Sequence, residues 1–276
     1  MNVTEISQFI RQTGQKGKQL RQKGFQVVEK GPGDYVTNVD RALDAMMVEQ
    51  LQTWFPHDGV ISEENPNSVG LWLQALPRYW FIDPIDGTSD FVSNREHYAV
   101  MLGLLENGRP TMGWIYAPES DLLFYGGTAI ASIFASDRGS MPIQIEIKPP
   151  ALGEFKVILS EKDEERYGDA ILDVIPEAEF YSLGSFGLKV MEVVCGNAAV
   201  YIYLNRRVKL WDTVGPLAIA RAAGLVCCDL AGNPISFEPE AIDAETLTHH
   251  QIILVGWSKS LEALRPKLAE ILNLRF

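Results

Sequence analysis

Tyr79-Trp-Phe-Ile-Asp83-Pro-Ile-Asp86-Gly-Thr88 sets an apolar run against two acids, a proline and a glycine. The run Tyr79–Ile82 has the length and apolarity of a buried strand. A carboxylate at the end of such a strand costs free energy unless its charge is compensated. Two other apolar segments end the same way, Gly59-Val-Ile-Ser-Glu63-Glu64 and the one closing on Trp211-Asp212. One acidic end reads as a cap or a salt bridge. Three in one chain point to a shared counter-charge. Clustered oxygens with little His or Cys nearby suit Mg2+. Only four His are present, and His249-His250 are adjacent, without the spacing of a helical metal pair, so zinc fits poorly.

The turn itself is compact chemistry. Pro84 fixes its own φ and removes an N–H, which stiffens the turn. Asp83, Asp86 and the Ile85 carbonyl can then face the same cations. Gly87 lets the backbone approach an anion closely. A helix starting near Thr88 would offer free N–H groups and a favourable dipole to a phosphate, and the Thr88 hydroxyl can orient a water. The plainer alternative for Asp-Gly is a type I turn with an Asx cap.

Around this core the chain alternates. Val3, Ile6, Phe9 and Ile10 recur at helical spacing, and the helix is expected to continue to about Val28, where Lys30–Asp34 breaks it. A short extended piece, Tyr35–Asp40, leads to a helix lined by Leu43, Met46, Met47, Leu51 and Phe55, with Asp40 placed to cap it. Asn107-Gly108 joins strands 99–106 and 112–117 as a hairpin, and segments 122–125 and 129–135 extend that sheet. Residues 136–152, rich in Pro and Gly, mark a domain boundary. Beyond it, strands at 155–160, 179–183, 200–204, 225–229 and 252–257 alternate with helices at 164–174, 188–195, 213–223 and 258–272. Such alternation indicates a layered α/β or α+β architecture.

Composition narrows the partners. The chain has 276 residues, 46% hydrophobic and 22% charged, an ordinary globular mixture. Its net charge of −12 disfavours nucleic-acid polymers and membrane surfaces. A small anionic substrate stays compatible, because bound cations invert the local field. Three cysteines, Cys195, Cys227 and Cys228, make no disulfide framework, so a reducing, cytoplasmic setting is expected. The first 24 residues lack the apolar core of a secretory signal.

Asp83-Pro-Ile-Asp-Gly-Thr-Ser-Asp-Phe91 resembles the signature of the inositol monophosphatase family, Mg2+-dependent and lithium-sensitive phosphatases. Val36-Thr-Asn-Val-Asp40 is similar to that family's N-terminal Asp motif, and Ile61-Ser-Glu-Glu64 to its Glu-Glu motif. Trp211-Asp-Thr-Val-Gly-Pro216, with the Ala-rich helix running to Gly224, is similar to its C-terminal motif. Order and spacing hold across the whole chain. The resemblance implies a five-layered αβαβα sandwich. Its N-terminal half, 1–145, would carry most metal ligands, and its C-terminal half, 146–276, would carry Asp212 and the substrate walls.

Roles follow from the same resemblance. Glu63, Asp83 and the Ile85 carbonyl would bind one Mg2+, and Asp83, Asp86 and Asp212 a second, with a third ion near Glu63. Glu64 is the rival to Glu63. Gly87 and Thr88 would hold phosphate oxygens through their backbone N–H groups. Glu63 and Thr88 would position and help deprotonate the attacking water, with Asp40 bracing the Thr88 hydroxyl, unless Asp40 is only a helix cap. Asp86, Ser185, Lys189 and Asp212 would line the substrate. A homodimer is also implied.

Departures bear on the substrate. Inositol-specific relatives carry an acid shortly before the Trp-Asp motif, whereas residues 202–211 here contain Arg206, Arg207 and Lys209 and no acid. These cations would suit a second anionic group on the substrate, or form a solvated surface. Gly184-Ser185 followed by Lys189 is similar to the branch acting on adenosine 3′,5′-bisphosphate. Against that branch, Ser89 stands where it usually has Lys or Arg; against the inositol branch, Asp90 stands where Asn is usual. The expected activity is a Mg2+-dependent phosphomonoesterase on a small anionic ester such as inositol monophosphate. Alternatives are 3′(2′),5′-bisphosphate nucleotidase or fructose-1,6-bisphosphatase activity. From other classes come a catalytically idle phospho-ligand-binding protein and a divalent-cation buffer, the latter disfavoured because no EF-hand spacing occurs.

Overall fold

Alternation along the strands sorts side chains into faces, and the faces define the layers. The computed structural model describes residues 1–31, 34–138, 141–151 and 155–273. Pro32 and Gly33 of the expected helix breaker, and Gly139 and Leu152 of the expected boundary, lie outside the described residues.

The strands are β1 (Val27–Gly31), β2 (Asp34–Thr37), β3 (Gly59–Ser62), β4 (Arg78–Asp86), β5 (Ala99–Glu106), β6 (Arg109–Ala117), β7 (Leu122–Gly127), β8 (Ser132–Asp137), β9 (Ile143–Gln144), β10 (Phe155–Ile158), β11 (Ala178–Tyr181), β12 (Val200–Tyr203), β13 (Val226–Cys228) and β14 (Ile253–Gly256). The helices are α1 (Val3–Lys23), α2 (Asn38–Trp54), α3 (Thr88–Val92), α4 (Glu161–Leu172), α5 (Phe186–Val194), α6 (Leu210–Ala222) and α7 (Ser258–Asn273). A seven-stranded sheet runs in order β3-β4-β5-β6-β7-β8-β9, and a five-stranded sheet in order β11-β10-β12-β14-β13.

In the larger sheet Trp80, Ile82, Val100, Leu102 and Trp114 point one way, into Ile6 and Ile10 of α1 and Leu43 and Met47 of α2. Phe81, Ala99, Met101 and Ile115 point the other way, into Phe186 and Val190 of α5 and Val214 and Leu217 of α6. The same cluster continues into Ile158, Tyr201, Ile253 and Val255 of the smaller sheet. That sheet's far face, Val157, Val200, Ile202 and Leu254, packs on Tyr167 and Ile171 of α4 and Leu264 and Leu268 of α7. The result is helix, sheet, helix, sheet, helix, the expected αβαβα sandwich. The 145/146 division falls between β9 and β10, yet α5 and α6 share one core with both sheets.

Local departures have local causes. α1 stops at Lys23 rather than near Val28, because Gly24 turns to φ 93° and the β-branched pair Val27-Val28 joins an antiparallel hairpin with β2. A 3-10 helix, Pro66–Gln74, was not legible from apolar spacing; it starts with Pro at its first position. α6 begins three residues before the expected 213, at Leu210, because Asp212 closes a capping arrangement with the Lys209 N–H. The Asn107-Gly108 hairpin is as expected, with φ values of 49° and 71° that suit a type I′ turn.

Three glycines set the central spacing. A Cβ on Gly113 would lie 2.1 Å from the Gly215 carbonyl oxygen, and one on Gly103 would lie 2.4 Å from the Gly215 nitrogen. The backbone of α6 therefore rests directly on β5 and β6, one turn beyond Asp212.

Candidate active site

Parallel pairing of β3 with β4 sets Ser62 opposite Ile82, and the Glu63 N–H donates to the Ile82 carbonyl at 3.2 Å. Glu63 and Asp83 therefore leave the sheet side by side. Between Asp83 and Asp86 the register with β5 shifts, Asp83 facing Met101 and Asp86 facing Ala99. Pro84, unable to donate to the ladder, sits in this irregularity, which re-aims Asp86. Gly87 follows at φ 89°, where a Cβ would lie 2.9 Å from the Ser185 nitrogen and 3.0 Å from the His97 carbonyl. Thr88 then opens α3.

Asp83, Asp86 and Asp212 converge, each contributing a carboxylate oxygen within 4.8 Å of the others. Asp83 and Asp86 are buried and Asp212 is half-buried. Each is oriented by a donor. Ile85 N–H donates to Asp83 Oδ1 at 3.0 Å. Lys209 N–H donates to Asp212 Oδ2 at 2.7 Å. Asp86 receives Phe186 N–H at 3.0 Å, Gly187 N–H at 2.8 Å and the Ser185 hydroxyl at 2.5 Å. Asp86 thus sits on the N-terminus of α5, where a carboxylate is favoured.

The charges are poorly matched as they stand. Burial, and then Glu63, Asp86, Asp212 and Asp40, push the Asp83 carboxyl well above the usual range. Burial and the Asp86 charge push Asp212 up to about 7. Asp86 is raised by burial and pulled back by its donors and by Lys189. A set of crowded carboxylates, without thiolate or imidazole in the cluster, fits a hard divalent cation such as Mg2+.

The remaining expected residues surround this cluster. Asp40 is not the cap of α2. Thr37 is, and Asp40 closes the capping box by accepting from the Thr37 N–H at 2.8 Å. Its Oδ1 lies 3.5 Å from the Thr88 hydroxyl, which donates to the Ile85 carbonyl at 2.9 Å. Burial raises the Asp40 carboxyl, against the bonds from Thr37. Glu63 lies outside the tight three-Asp cluster, and its charge still acts on Asp83. Ser185 is fully buried, and its hydroxyl is used by Asp86 and by the Leu188 N–H at 3.0 Å. It stands behind Asp86 rather than in the cleft. Lys189 is buried with its ammonium 5.5 Å from the centre of the Tyr201 ring; burial lowers its pKa, against the pull of Asp86, Asp90, Asp163 and Asp212. Arg206 and Arg207 are exposed, and Lys209 lies 4.9 Å over the Trp211 ring.

Asp44 was not anticipated. It follows Asp40 by one turn of α2 and accepts the hydroxyl of Ser62, the last residue before Glu63. The i, i+4 acid pair on one helix face was the available signal. Thr213 and His249, bonded behind Asp212, were also missed.

The sequence model of the inositol monophosphatase family matches residues 2–271. The chain belongs to this family. Its relatives include phosphatases and also the Nus factor SuhB of Xylella fastidiosa, 28% identical over 213 residues, covering 75% of this chain and 73% of that protein. The 3′(2′),5′-bisphosphate nucleotidase CysQ of Escherichia coli K12 is 29% identical over 240 residues, covering 86% of this chain and 94% of that protein. Inositol-1-monophosphatase of Bacillus subtilis is 24% identical over 242 residues, covering 86% and 89%. A solved IMPase/NADP phosphatase complexed with Mg2+ and phosphate shares the fold at a TM-score of 0.74 and 21% identity, over 96% of this chain and 94% of that one. Within the inositol monophosphatase family fold, the three-Asp cluster lies where β4 and α6 meet.

Proposed function

We propose that this chain is a Mg2+-dependent phosphomonoesterase acting on a small anionic phosphate ester. The convergence of Asp83, Asp86 and Asp212 beside the Thr88 hydroxyl carries this reading. These three carboxylates, with Glu63 and the Ile85 carbonyl, would hold two to three Mg2+ ions. The bound metal supplies Lewis-acid charge to phosphoryl oxygens that need positioning and neutralisation more than covalent help.

The chain's own groups do the rest. Gly87 and Thr88 N–H groups hold the phosphate at the start of α3. The Thr88 hydroxyl, held between the Ile85 carbonyl and Asp40, orients the attacking water. Glu63 takes that water's proton as the phosphorus–oxygen ester bond breaks. The leaving alkoxide is protonated from solvent. Ser185 acts only through Asp86, and Lys189 offsets the negative charge beneath the substrate.

A second reading concerns the substrate. Arg206, Arg207 and Lys209 occupy the link between β12 and α6, immediately before Asp212. That placement, and the likeness to a bisphosphate nucleotidase, support a substrate with a second phosphate. The reading also takes the chain to be cytoplasmic and homodimeric. Among the described residues no helix is long and apolar enough to cross a membrane, and the three cysteines are free.

Phosphate release with Mg2+ from inositol 1-phosphate, adenosine 3′,5′-bisphosphate and fructose 1,6-bisphosphate tests both readings. Turnover that stops with chelator and with millimolar lithium is expected, with higher kcat/KM for a bisphosphate. No turnover on any of the three leaves the phospho-ligand-binding alternative. Preference for inositol 1-phosphate returns the three cations to surface roles.

A further inference from the structure

We propose that His249 is a positioning residue for Asp212, acting through the Thr213 hydroxyl. The inference rests on the reading of Asp212 as a Mg2+ ligand. His249 and Thr213 are both fully buried, and His249 Nε2 lies 2.8 Å from Thr213 Oγ1. Thr213 Oγ1 is also 3.2 Å from the Lys209 carbonyl and 3.3 Å from the Leu210 carbonyl. A threonine hydroxyl has one proton, and these carbonyls can only accept it. With the hydroxyl proton given to one of these carbonyls, the proton between Thr213 and His249 is assigned to the imidazole, on Nε2. This leaves Nδ1 as a bare lone pair, and it has no partner among the described residues. A bare lone pair there costs less than the buried, unpaired N–H that the other tautomer would leave. Burial, with Arg221 and His250, also holds the imidazole down to about 3, so the ring stays neutral.

The first turn of α6 needs such a clamp. Pro216 lies inside the helix, so the Asp212 carbonyl lacks the N–H that would normally tie it to the next turn. The ties come from outside instead. His249 N–H donates to the Val208 carbonyl at 3.0 Å, and Leu210 N–H to the Leu247 carbonyl at 3.0 Å, flanking a bridge between Lys209 and Thr248. The His249 side chain completes this clamp at the residue next to Asp212. It touches neither metal nor substrate. It fixes how the first turn presents the carboxylate, as outer groups around a metal site do.

The test is Mg2+ binding to the intact protein by titration calorimetry, with phosphate release and circular dichroism measured in parallel. His249→Phe keeps a ring and removes the donor. Thr213→Val removes the acceptor. Each is expected to weaken Mg2+ about tenfold, the low end for such outer groups. The double variant is expected to be no weaker than either single one, because one interaction is removed either way. His249→Gln, which restores a donor, is expected to recover most of the affinity. Folded His249→Phe or Thr213→Val with wild-type Mg2+ affinity overturns the inference. So does His249→Gln as weak as His249→Phe. Asp212→Asn separates the two levels: wild-type affinity there removes the metal reading and this inference together, whereas its loss beside an unaffected His249→Phe removes this inference alone.

Discussion

Asp83 bears the heaviest electrostatic load in the cleft. Only 1% of it is exposed, and four acids act on it. Its carboxylate is useful for holding a cation and costly without one. Asp83→Asn should therefore lower Mg2+-supported turnover by about a thousandfold or more, ~4 kcal/mol in the barrier, while the metal-free protein melts no lower than wild type. A metal-free variant that melts lower, or one that keeps near-normal turnover, would contradict the assignment. Asp212 adds a pH dependence. Its folded pKa is raised to about 7, so the folded chain binds a proton there that the unfolded chain has already lost. Stability from this group is full below the ordinary carboxylate range and is lost as pH rises towards about 7. With chelator present, the melting temperature should fall over roughly pH 4 to 7, and Asp212→Asn should flatten part of that slope. Mg2+ affinity should climb over the same window, since the ligand must be deprotonated. At this scale the sequence was informative about identity and less so about duty. Acidic ends of apolar runs marked Asp83, Asp86 and Asp212. That Ser185 is spent on Asp86, and that Thr37 rather than Asp40 caps α2, depends on which hydroxyl meets which carboxylate in three dimensions.

Among the elements, α6 links packing to chemistry. Its backbone touches β5 and β6 only because Gly215 meets Gly103 and Gly113 without any Cβ between them. Asp212 lies one turn earlier on the same helix, so the contact sets its distance from Asp83 and Asp86. Gly113→Ala would place a Cβ 2.1 Å from the Gly215 carbonyl, a backbone atom that cannot swing aside. The helix must lift. The expected cost is about 1–3 kcal/mol of stability, read by urea unfolding. A loss of Mg2+ affinity in the variant that remains folded should accompany it, because Asp212 moves with the helix. Unchanged stability would mean the helix does not rest on β6 at this point. The sequence reading found strands β5 and β6 and the Trp211–Gly224 segment, yet nothing in a strand's alternation says that two of its glycines face a third on a distant helix. The 3-10 segment Pro66–Gln74 was missed for a related reason: its apolar residues follow neither a period of two nor one of 3.6, so only Pro66 announced it.

For the molecule as a whole, the boundary read from composition and the core built by packing pull in different directions. Pro and Gly around 136–152 mark the passage from one sheet to the other, which local sequence can reveal. The cluster that joins Phe81 and Ile115 of one sheet to Ile158 and Val255 of the other, through Phe186, Val190, Val214 and Leu217, is non-local and was not legible there. Helices α5 and α6 have apolar surface on both sides, so neither half can separate without exposing them. We therefore expect halves 1–145 and 146–276 to unfold together. The residues provide reporters weighted differently between the halves. Four of the six tryptophans, Trp54, Trp72, Trp80 and Trp114, lie in the first half and Trp211 and Trp257 in the second, whereas Cys195, Cys227 and Cys228 all lie in the second. Cys227 and Cys228 are buried, so their thiols react only once the second half opens. In urea, tryptophan fluorescence and thiol labelling should give the same midpoint, as a single cooperative transition requires. Mg2+ should raise both midpoints equally, because the ligand cluster takes Asp83 and Asp86 from the first half and Asp212 from the second. Thiols that become reactive well before most of the tryptophan signal moves would mean that the second half opens alone, and that the shared helical layer does not bind the two sheets into one unit.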